Sequence, residues 1–275
     1  MTAGTRTVSY VLQALMIVTL LSAGQAFAWT RTATFENEGT GSIAQGSTAF
    51  EVASGSTTIT TDKVSGGSKA AKMYHAAGDG GVMGYVSFPG AVGNGGEIWA
   101  RGNFYFASPW NWACNPVIKV LRGAHIANAS GGNVGYLSVF ADAAGNIVLS
   151  NEPAGVQKLT SAKFDVDKWQ TIEMYVKLST GSATFRIWKN GVLILEDTAR
   201  TINSTSDYAD FSYIMSNWNG GSPQNQTQYI DDFIWTNTTP SQKDSAGRPM
   251  IGPTSGTGTG TTTLAAPTGF RIISK

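Results

Sequence analysis

Residues 169–235 read WQTIEMYVKLSTGSATFRIWKNGVLILEDTARTINSTSDYADFSYIMSNWNGGSPQNQTQYIDDFIW, and this stretch decides the fold. Between residues 172 and 178, apolar side chains alternate with polar or aromatic ones, which predicts a strand with two different faces. Residues 180–182 (TGS) form a turn signal, and residues 184–188 repeat the alternation. The pattern therefore predicts two antiparallel neighbouring strands.

A hairpin extends this pair. Asn190-Gly191 favours a tight turn because both positions tolerate positive φ. Residues 192–195 and 229–235 predict two further strands, which makes the stretch an antiparallel meander. The chain before it also shows short β-branched and aromatic runs between Gly-rich turns, without a helical period. This organisation predicts an all-β protein with an antiparallel two-sheet β-sandwich.

The composition narrows the class of partner. Charged residues make up 13% of the chain and the net charge is +1, which argues against nucleic acid or an anionic membrane surface as partner. Cys114 is the only cysteine, so the chain has no internal disulfide.

The N-terminus has the pattern of an export signal. Arg6 precedes an apolar run at residues 11–21, and residues 26–28 (AFA) have the small-x-small pattern of a cleavage site. The sequence predicts a signal peptide over residues 1–28, a mature chain that begins at Trp29, and export to the periplasm, the cell surface or the medium.

Composition also divides the remainder of the chain. Residues 29–239 form the predicted sandwich domain, and residues 240–265 form a Gly/Thr-rich linker. Residues 266–275 are a short apolar tail. Two interpretations of this tail remain open, namely an edge strand on the sandwich or the start of a further β domain.

Three runs of the chain resemble a known superfamily. WQTIEMYVKLSTGSATFRIWKNGVLI, SNWNGG and YIDDF resemble polysaccharide lyases of the concanavalin-A-like jelly-roll superfamily, above all the alginate and glucuronan lyases. The resemblance covers about residues 97–235. It implies two curved sheets, with a cleft on the concave one for an acidic polysaccharide that is cleaved by β-elimination. Fold alone does not establish this activity.

β-Elimination from a uronate has three requirements. A positive or hydrogen-bonding group must neutralise the sugar carboxylate, a base must remove the neighbouring proton, and an acid must protonate the leaving oxygen. The segment NPVIKVLRG at residues 115–123 is similar to a family strand that carries a lysine. The candidates for the catalytic centre are Lys119, Arg122, His125 and Tyr136.

Lys119 and Arg122 are three residues apart, so a regular strand would point them to opposite faces. Both can line one cleft only if a β-bulge lies between them. We expect cationic, amide and aromatic side chains to bind sugar, since aromatic rings pack against sugar C–H faces and loop aromatics tend to have a functional reason. These candidates are Arg186, Trp188, Tyr175, Arg200, Asn217, Trp218, Trp110 and Trp112. The alternative for Trp188 and Trp218 is an ordinary place in the core.

The chain also departs from the better-known alginate lyases. Their Y-F-K-x-G-x-Y-x-Q and R-x-E-x-R strands are absent, and residues 213–219 (YIMSNWN) stand in place of the former. The E-x-D-x-x-E pattern of related glucanases is absent too, which argues against a retaining glycosidase.

A metal site is suggested by the same resemblance. Similar jelly-roll modules pair an N-terminal Phe-Glu with a C-terminal Ile-Asp-Asp across a structural calcium, and here Glu36, Asp231 and Asp232 match that pattern. The alternative is that these aspartates bond to loop amides or to an arginine, because an unpaired buried charge is very costly.

Three functions remain open at this stage. The first is a secreted lyase of an anionic polysaccharide. The second is a glycan-binding module without catalysis, stabilised by calcium, and the third is a structural surface protein. A base and a carboxylate neutraliser that converge within hydrogen-bond reach would favour the first.

Overall fold

The computed structural model describes residues 27–254, except Asn219 and the side chains of residues 82–83 and 215–218. This part of the chain contains fifteen strands and one 3-10 turn, Glu152–Ala154. In chain order the strands are β1 Thr30–Ala33, β2 Val52–Ala53, β3 Thr57–Thr60, β4 Ala70–His75, β5 Val82–Gly93, β6 Glu97–Phe106, β7 Ile118–Ala127, β8 Asn133–Ala141, β9 Asn146–Asn151, β10 Val156–Lys163, β11 Gln170–Lys177, β12 Ala183–Lys189, β13 Val192–Ala199, β14 Tyr208–Trp218 and β15 Gln226–Thr236.

The strands form two antiparallel sheets. The back sheet has the order β13-β12-β11-β6-β15-β4-β3, with β1 also paired to β15. The front sheet has the order β10-β9-β8-β7-β14-β5-β2. The predicted two-sheet antiparallel sandwich is thus confirmed. Among the described residues, no helix is long and apolar enough to cross a membrane.

The core lies between the sheets because each strand turns one set of alternating side chains inward. Ile172 and Met174 on β11 are fully buried there, as are Leu121 on β7 and Phe233 on β15. Phe104 contacts Phe233 edge-to-face with 5.3 Å between the ring centroids. That contact joins neighbouring strands of the back sheet, and the apolar area buried between the inward side chains of both sheets holds the sheets together.

The meander and its hairpin form as the sequence predicts. β12 pairs with β13, and Lys189 faces Val192 across the turn. Asn190 and Gly191 have φ values of 51° and 78°, the left-handed conformation that this two-residue turn needs.

β7 contains the irregularity that a shared face for Lys119 and Arg122 requires. Its pairing with β8 shifts register between Lys119 and Leu121, and again between Arg122 and Ala124. Each shift inserts an extra residue, which re-aims the following side chain. As a result Leu121 and Ala124 point into the core, while Lys119 and Arg122 lie on the opposite face with His125.

Residues 240–254, here called the C-terminal strap, pack on the outside of the back sheet. The Ile251 and Gly252 amides donate to the two carboxylate oxygens of Glu173 at 2.7 and 2.8 Å. Trp188 Nε1 donates to Asp244 at 2.9 Å. The first fifteen residues of the segment predicted as a linker are therefore held against the sandwich. Residues 255–275, with the rest of the linker and the tail, lie outside the described residues, as does most of the predicted signal peptide.

Candidate active-site face

Three side chains of β7 share the face of the front sheet that points away from the core. Lys119 and Arg122 are partly exposed on this face, and His125 is buried in it. β8 and β14 flank β7 and place Tyr136 and Tyr213 beside these residues. All four predicted catalytic residues are therefore brought together.

Arg122 is held from two sides. Its guanidinium carbon lies 3.9 Å above the Tyr136 ring, a cation–π contact. Its Nη2 lies 3.5 Å from the Glu152 carboxylate, and only 13% of the side chain is exposed. Burial and the nearby positive charge of Arg122 lower the pKa of Lys119, which shows that the two cations act on one region.

Tyr136 belongs to an aromatic cluster. Its ring contacts that of Tyr213, with 5.9 Å between the centroids. Tyr213 in turn contacts Tyr85 at 5.6 Å and Phe211 at 5.0 Å. Burial, followed by the influence of Tyr213, raises the pKa of Tyr136, so its hydroxyl is protonated at neutral pH.

His125 has a carboxylate partner. Its Nδ1 lies 2.7 Å from Asp210 Oδ1 on β14. The imidazole is stacked on Phe211 with 4.1 Å between centroids, and it lies 5.0 Å from the Tyr136 ring. The ring is thus fixed at its edge by a charge and on its face by an aromatic side chain.

The paired registers align these groups in a row across the strands. Six strands each contribute one member, and the row is Tyr85, Tyr213, Arg122, Ser138, Ser150 and Gln157. With neighbouring strands about 4.8 Å apart, the row is roughly 24 Å long, enough for an extended oligosaccharide. Arg122 Nε and Ser138 Oγ are buried without a hydrogen-bond partner among the described residues.

A cavity of about 410 Å³ lies at the β9–β10 end of this row. It is lined by Ser150, Asn151, Glu152, Gly155, Val156 and Gln157. Arg200, predicted to bind substrate, instead supports this region from behind. Its guanidinium donates two hydrogen bonds, of 3.1 and 2.9 Å, to the Pro153 carbonyl and so anchors the turn that carries Glu152.

Three of the other predicted sugar-binding residues lie on the other sheet. Tyr175, Arg186 and Trp188 belong to the back sheet. Trp188 is 0% exposed and packs under the C-terminal strap with Trp99 and Tyr175. Arg186 pairs with Glu196 on the neighbouring strand. The structure thus separates these three residues from the catalytic candidates.

The two loop tryptophans pack on the end of the core. Trp110 and Trp112 each contact Phe106 with 4.8 Å between centroids, and Trp112 stacks on Phe164 at 5.6 Å. Their aromatic neighbours account for them without a ligand. Asn217 and Trp218 lie on β14, with backbone pairing to Lys119 and Ile118, but their side chains lie outside the described part.

Three functional candidates escaped the sequence interpretation, namely Tyr213, Glu152 and Asp210. Tyr213 and Asp210 belong to the alternating strand DFSY, in which the signal was an aromatic at every second position. Glu152 follows β9 in a short turn and offered no local signal. Tyr213 and Asp210 acquire their places because β14 pairs with β7, and Glu152 acquires its place because β9 pairs with β8.

The predicted metal residues surround the loop at residues 65–69. Glu36 accepts hydrogen bonds from the Ser68 amide and hydroxyl and from the Lys69 amide, at 2.7–3.1 Å. Asp231 accepts from the Ser65 and Gly66 amides at 2.8 and 3.0 Å. These bonds correspond to the alternative in which loop amides satisfy the carboxylates.

Negative charge nevertheless remains concentrated there. Burial, and then the neighbouring charge of Asp232, raise the pKa of Asp231 to about 7. Carboxylate oxygens are ligands that Ca²⁺ prefers. In the described part of the chain, however, no group of three or more His, Cys, Asp or Glu side chains converges as a metal site.

The fold has solved relatives. The chain is similar to alginate lyase Aly36B, with a TM-score of 0.56 and 15% identity over 75% of this chain and 96% of that one. It is similar to the endo-β-1,4-glucuronan lyase of the fungus Trichoderma reesei, with a TM-score of 0.54 and 14% identity over 82% and 99%. A third relative is alginate lyase vAL-1 from a Chlorella virus, with a TM-score of 0.50 and 17% identity over 66% and 89%.

No protein-family model and no curated protein sequence matches the chain. At these identities the likeness to solved structures shows the fold. The resemblance to jelly-roll polysaccharide lyases is confirmed at that level, while the activity is argued from the site.

Proposed function

We propose that this protein is a polysaccharide lyase that cleaves a uronate-containing chain by β-elimination. The observation that carries the proposal is the convergence of two cations, a tyrosine pair and a carboxylate-bound histidine on one open sheet face. These groups meet the three requirements of the reaction. The solved relatives that act on alginate and glucuronan support the same substrate class.

Arg122 and Lys119 neutralise the sugar carboxylate. Both are cations beside the aromatic cluster, and Arg122 Nε has no hydrogen-bond partner among the described groups. A guanidinium binds a carboxylate through two parallel hydrogen bonds, which suits this role. Neutralisation makes the C5–H proton of the uronate acidic enough to be removed.

His125 and Tyr136 move the protons. Tyr136 is protonated because its pKa is raised, so it acts as the acid. His125 acts as the base because Asp210 stabilises the positive charge that it gains. The C5–H proton passes to His125, a C4=C5 double bond forms, the C4–O4 bond breaks, and the leaving oxygen takes the Tyr136 proton.

The test is turnover. Protein that begins at Trp29 is incubated with alginate, polyglucuronate and polygalacturonate, and ultraviolet absorbance is followed for the unsaturated uronate product. A rise that His125→Ala abolishes supports the proposal. If none of the polymers yields a double bond, and one of them still retards the protein in an affinity gel, the lyase is excluded and a glycan-binding module remains.

We also propose that the chain is exported after cleavage before Trp29. Trp29 is buried, and its backbone amide donates to Asn237 at 2.7 Å, so the proposed mature end is docked on the sandwich. Expression in a bacterial host, followed by N-terminal sequencing of the periplasmic product, tests this. A product that retains the first residues contradicts it.

A structural calcium is the third part of the proposal. Glu36, Asp231 and Asp232 lie around one loop and would have to close together to hold the ion, whose charge would relieve the repulsion between the carboxylates. At 100 times its Kd, calcium is expected to stabilise the fold by about 2.7 kcal/mol. Thermal melts with calcium or with EDTA test this, with magnesium as the control ion. Identical melting temperatures in calcium and EDTA contradict it, and Asp232→Asn should remove any difference.

A further inference from the structure

We propose that Asp210 is a positioning residue that fixes His125 as the Nδ1–H tautomer and leaves Nε2 as the proton acceptor. The catalytic consequence of this inference rests on the proposed lyase function. The tautomer itself is a property of the folded protein and can be measured without substrate.

The geometry has three parts. Asp210 Oδ1 lies 2.7 Å from His125 Nδ1, which is hydrogen-bond distance. The histidine side chain is 7% exposed and that of Asp210 is 34% exposed, so the carboxylate holds a ring that is almost out of contact with water. Ala209, next to Asp210, pairs with Ile126, next to His125, so strand pairing sets this meeting.

The direction of the hydrogen bond follows from chemistry. An ionised carboxylate can only accept, so Nδ1 must donate. In a neutral imidazole the second nitrogen then has the lone pair, and the hydrogen bond of one nitrogen decides the state of the other. Because Phe211 stacks on the ring at 4.1 Å and 14°, rotation of the imidazole away from Asp210 is also restricted.

This arrangement gives Asp210 two separable effects. Its position selects the tautomer, and its charge stabilises the imidazolium that forms when His125 takes a proton. Asp210→Asn keeps a carbonyl oxygen that can accept from Nδ1 but removes the charge. Asp210→Ala removes both, so the two variants distinguish positioning from electrostatic stabilisation.

The measurement is ¹⁵N-detected histidine NMR on the protein from Trp29 onward. The chain has only two histidines, His75 and His125, so a His75→Gln variant assigns both ring systems. At a pH where the imidazole is neutral, we expect the Nδ1–H shift pattern for His125. Asp210→Asn should retain it, and Asp210→Ala should show a mixture or the Nε2–H form. Asp62→Ala is the matched control, because Asp62 is exposed and follows β3 of the back sheet, so this variant should keep the Nδ1–H pattern.

Kinetics give the second readout. We expect both Asp210 variants to lower kcat on the order of 10–100-fold, with KM little changed, as for other groups that orient a reacting side chain. An Nε2–H pattern in the unaltered protein, or an unchanged Nδ1–H pattern in a folded Asp210→Ala variant, would overturn the inference. If the unaltered protein has no lyase activity but the tautomers behave as expected, the positioning is supported and only the proposed function fails.

Discussion

Arg122 lies between the Tyr136 ring and the Glu152 carboxylate, and these two contacts fix where its guanidinium can act. Glu152 also accepts a hydrogen bond of 3.0 Å from the Tyr136 backbone amide, so one carboxylate positions both Arg122 and Tyr136. A substrate carboxylate approaching Arg122 therefore meets a cation that is already oriented. At the scale of single residues, the candidate site is pre-organised by the contacts of Arg122 with Tyr136 and Glu152.

Replacement of Arg122 tests the neutralising role. Arg122→Ala is expected to lower kcat/KM on the order of 10²–10³-fold, the usual loss when one oriented donor is removed. The kcat/KM of Arg122→Lys should lie between those of the unaltered protein and of Arg122→Ala. Lysine retains the charge but lacks the planar guanidinium that can form two parallel hydrogen bonds. Arg186→Ala is the matched control, because that arginine lies on the back sheet and pairs with Glu196. Equal losses in the Arg122 and Arg186 variants would contradict the assigned site.

Removal of one hydroxyl tests the proton donor. Tyr136→Phe keeps the ring beneath Arg122 but is expected to lower kcat on the order of 10²–10⁴-fold. Since burial raises the pKa of Tyr136, this group should cause no loss of rate below its ordinary value of 10. Rate profiles from pH 6 to about 10 check this. Tyr74→Phe, at an exposed back-sheet position, should be neutral. An unaltered rate in Tyr136→Phe would transfer the role to Tyr213.

At the scale of elements, two irregular pieces of chain shape this sandwich. The bulges of β7 bring Lys119, Arg122 and His125 onto one face, which a regular strand cannot do. The C-terminal strap packs through Met250 and Ile251 on Trp99, Tyr175 and Trp188 of the back sheet. The strap therefore decides how much of the outer face of the back sheet is exposed.

Asp244 is the residue through which the strap's stability can be tested. It accepts from Trp188 Nε1 and from Arg248 Nε at 2.9 and 2.8 Å. Asp244→Ala would leave the buried indole N–H without its acceptor, so we expect a loss of about 1–3 kcal/mol in the free energy of unfolding. Urea denaturation measures it. Asp62→Ala, which breaks only an exposed ion pair with Lys72, should cost no more than about 1 kcal/mol.

At the scale of the whole molecule, several buried groups titrate far from their ordinary range. Burial raises the pKa of Glu173 to about 7, although strap amides and Arg101 oppose the shift. The pKa of Asp231 is also raised to about 7, and that of Asp232 is raised too. Burial lowers the pKa of His75 to about 4. The raised carboxyl pKa values and the lowered histidine pKa have opposite effects on how stability changes with pH.

Stability is expected to fall as pH rises from about 4.5 toward 7. In this window the folded protein retains protons on Glu173 and Asp231 that the unfolded chain has lost, whereas it lacks the proton that unfolded His75 binds. The folded state gains two protons and lacks one, so it binds more protons than the unfolded state. The free energy of unfolding therefore decreases as pH rises. Melting temperatures from pH 4.5 to 7 in EDTA measure the slope.

Glu173→Gln supplies the control for that experiment. It removes one of the two raised groups, so the slope should become shallower while His75 still acts in the other direction. If the melting temperature rises with pH, or if its slope against pH is the same in Glu173→Gln, these carboxyls do not control the pH dependence of stability.

The sequence by itself determined the local features of this protein. Alternation along β11 and β12 predicted two-faced strands, and Asn190-Gly191 predicted the hairpin, because strand periodicity and turn conformation depend on neighbouring residues. Spacing alone also showed that Lys119 and Arg122 need a bulge to share a face. These features could be predicted since each depends on a few consecutive residues.

Only the tertiary structure decided which side chains meet. Asp210 reaches His125 across 85 positions of sequence, and residues of the strap, about 80 positions beyond Glu173, cover the back sheet. Alternation shows that Trp188 leaves the core face, but not whether water or another segment covers it. The register of strand pairing and the path of the strap fix such contacts, and neither is a property of the local sequence.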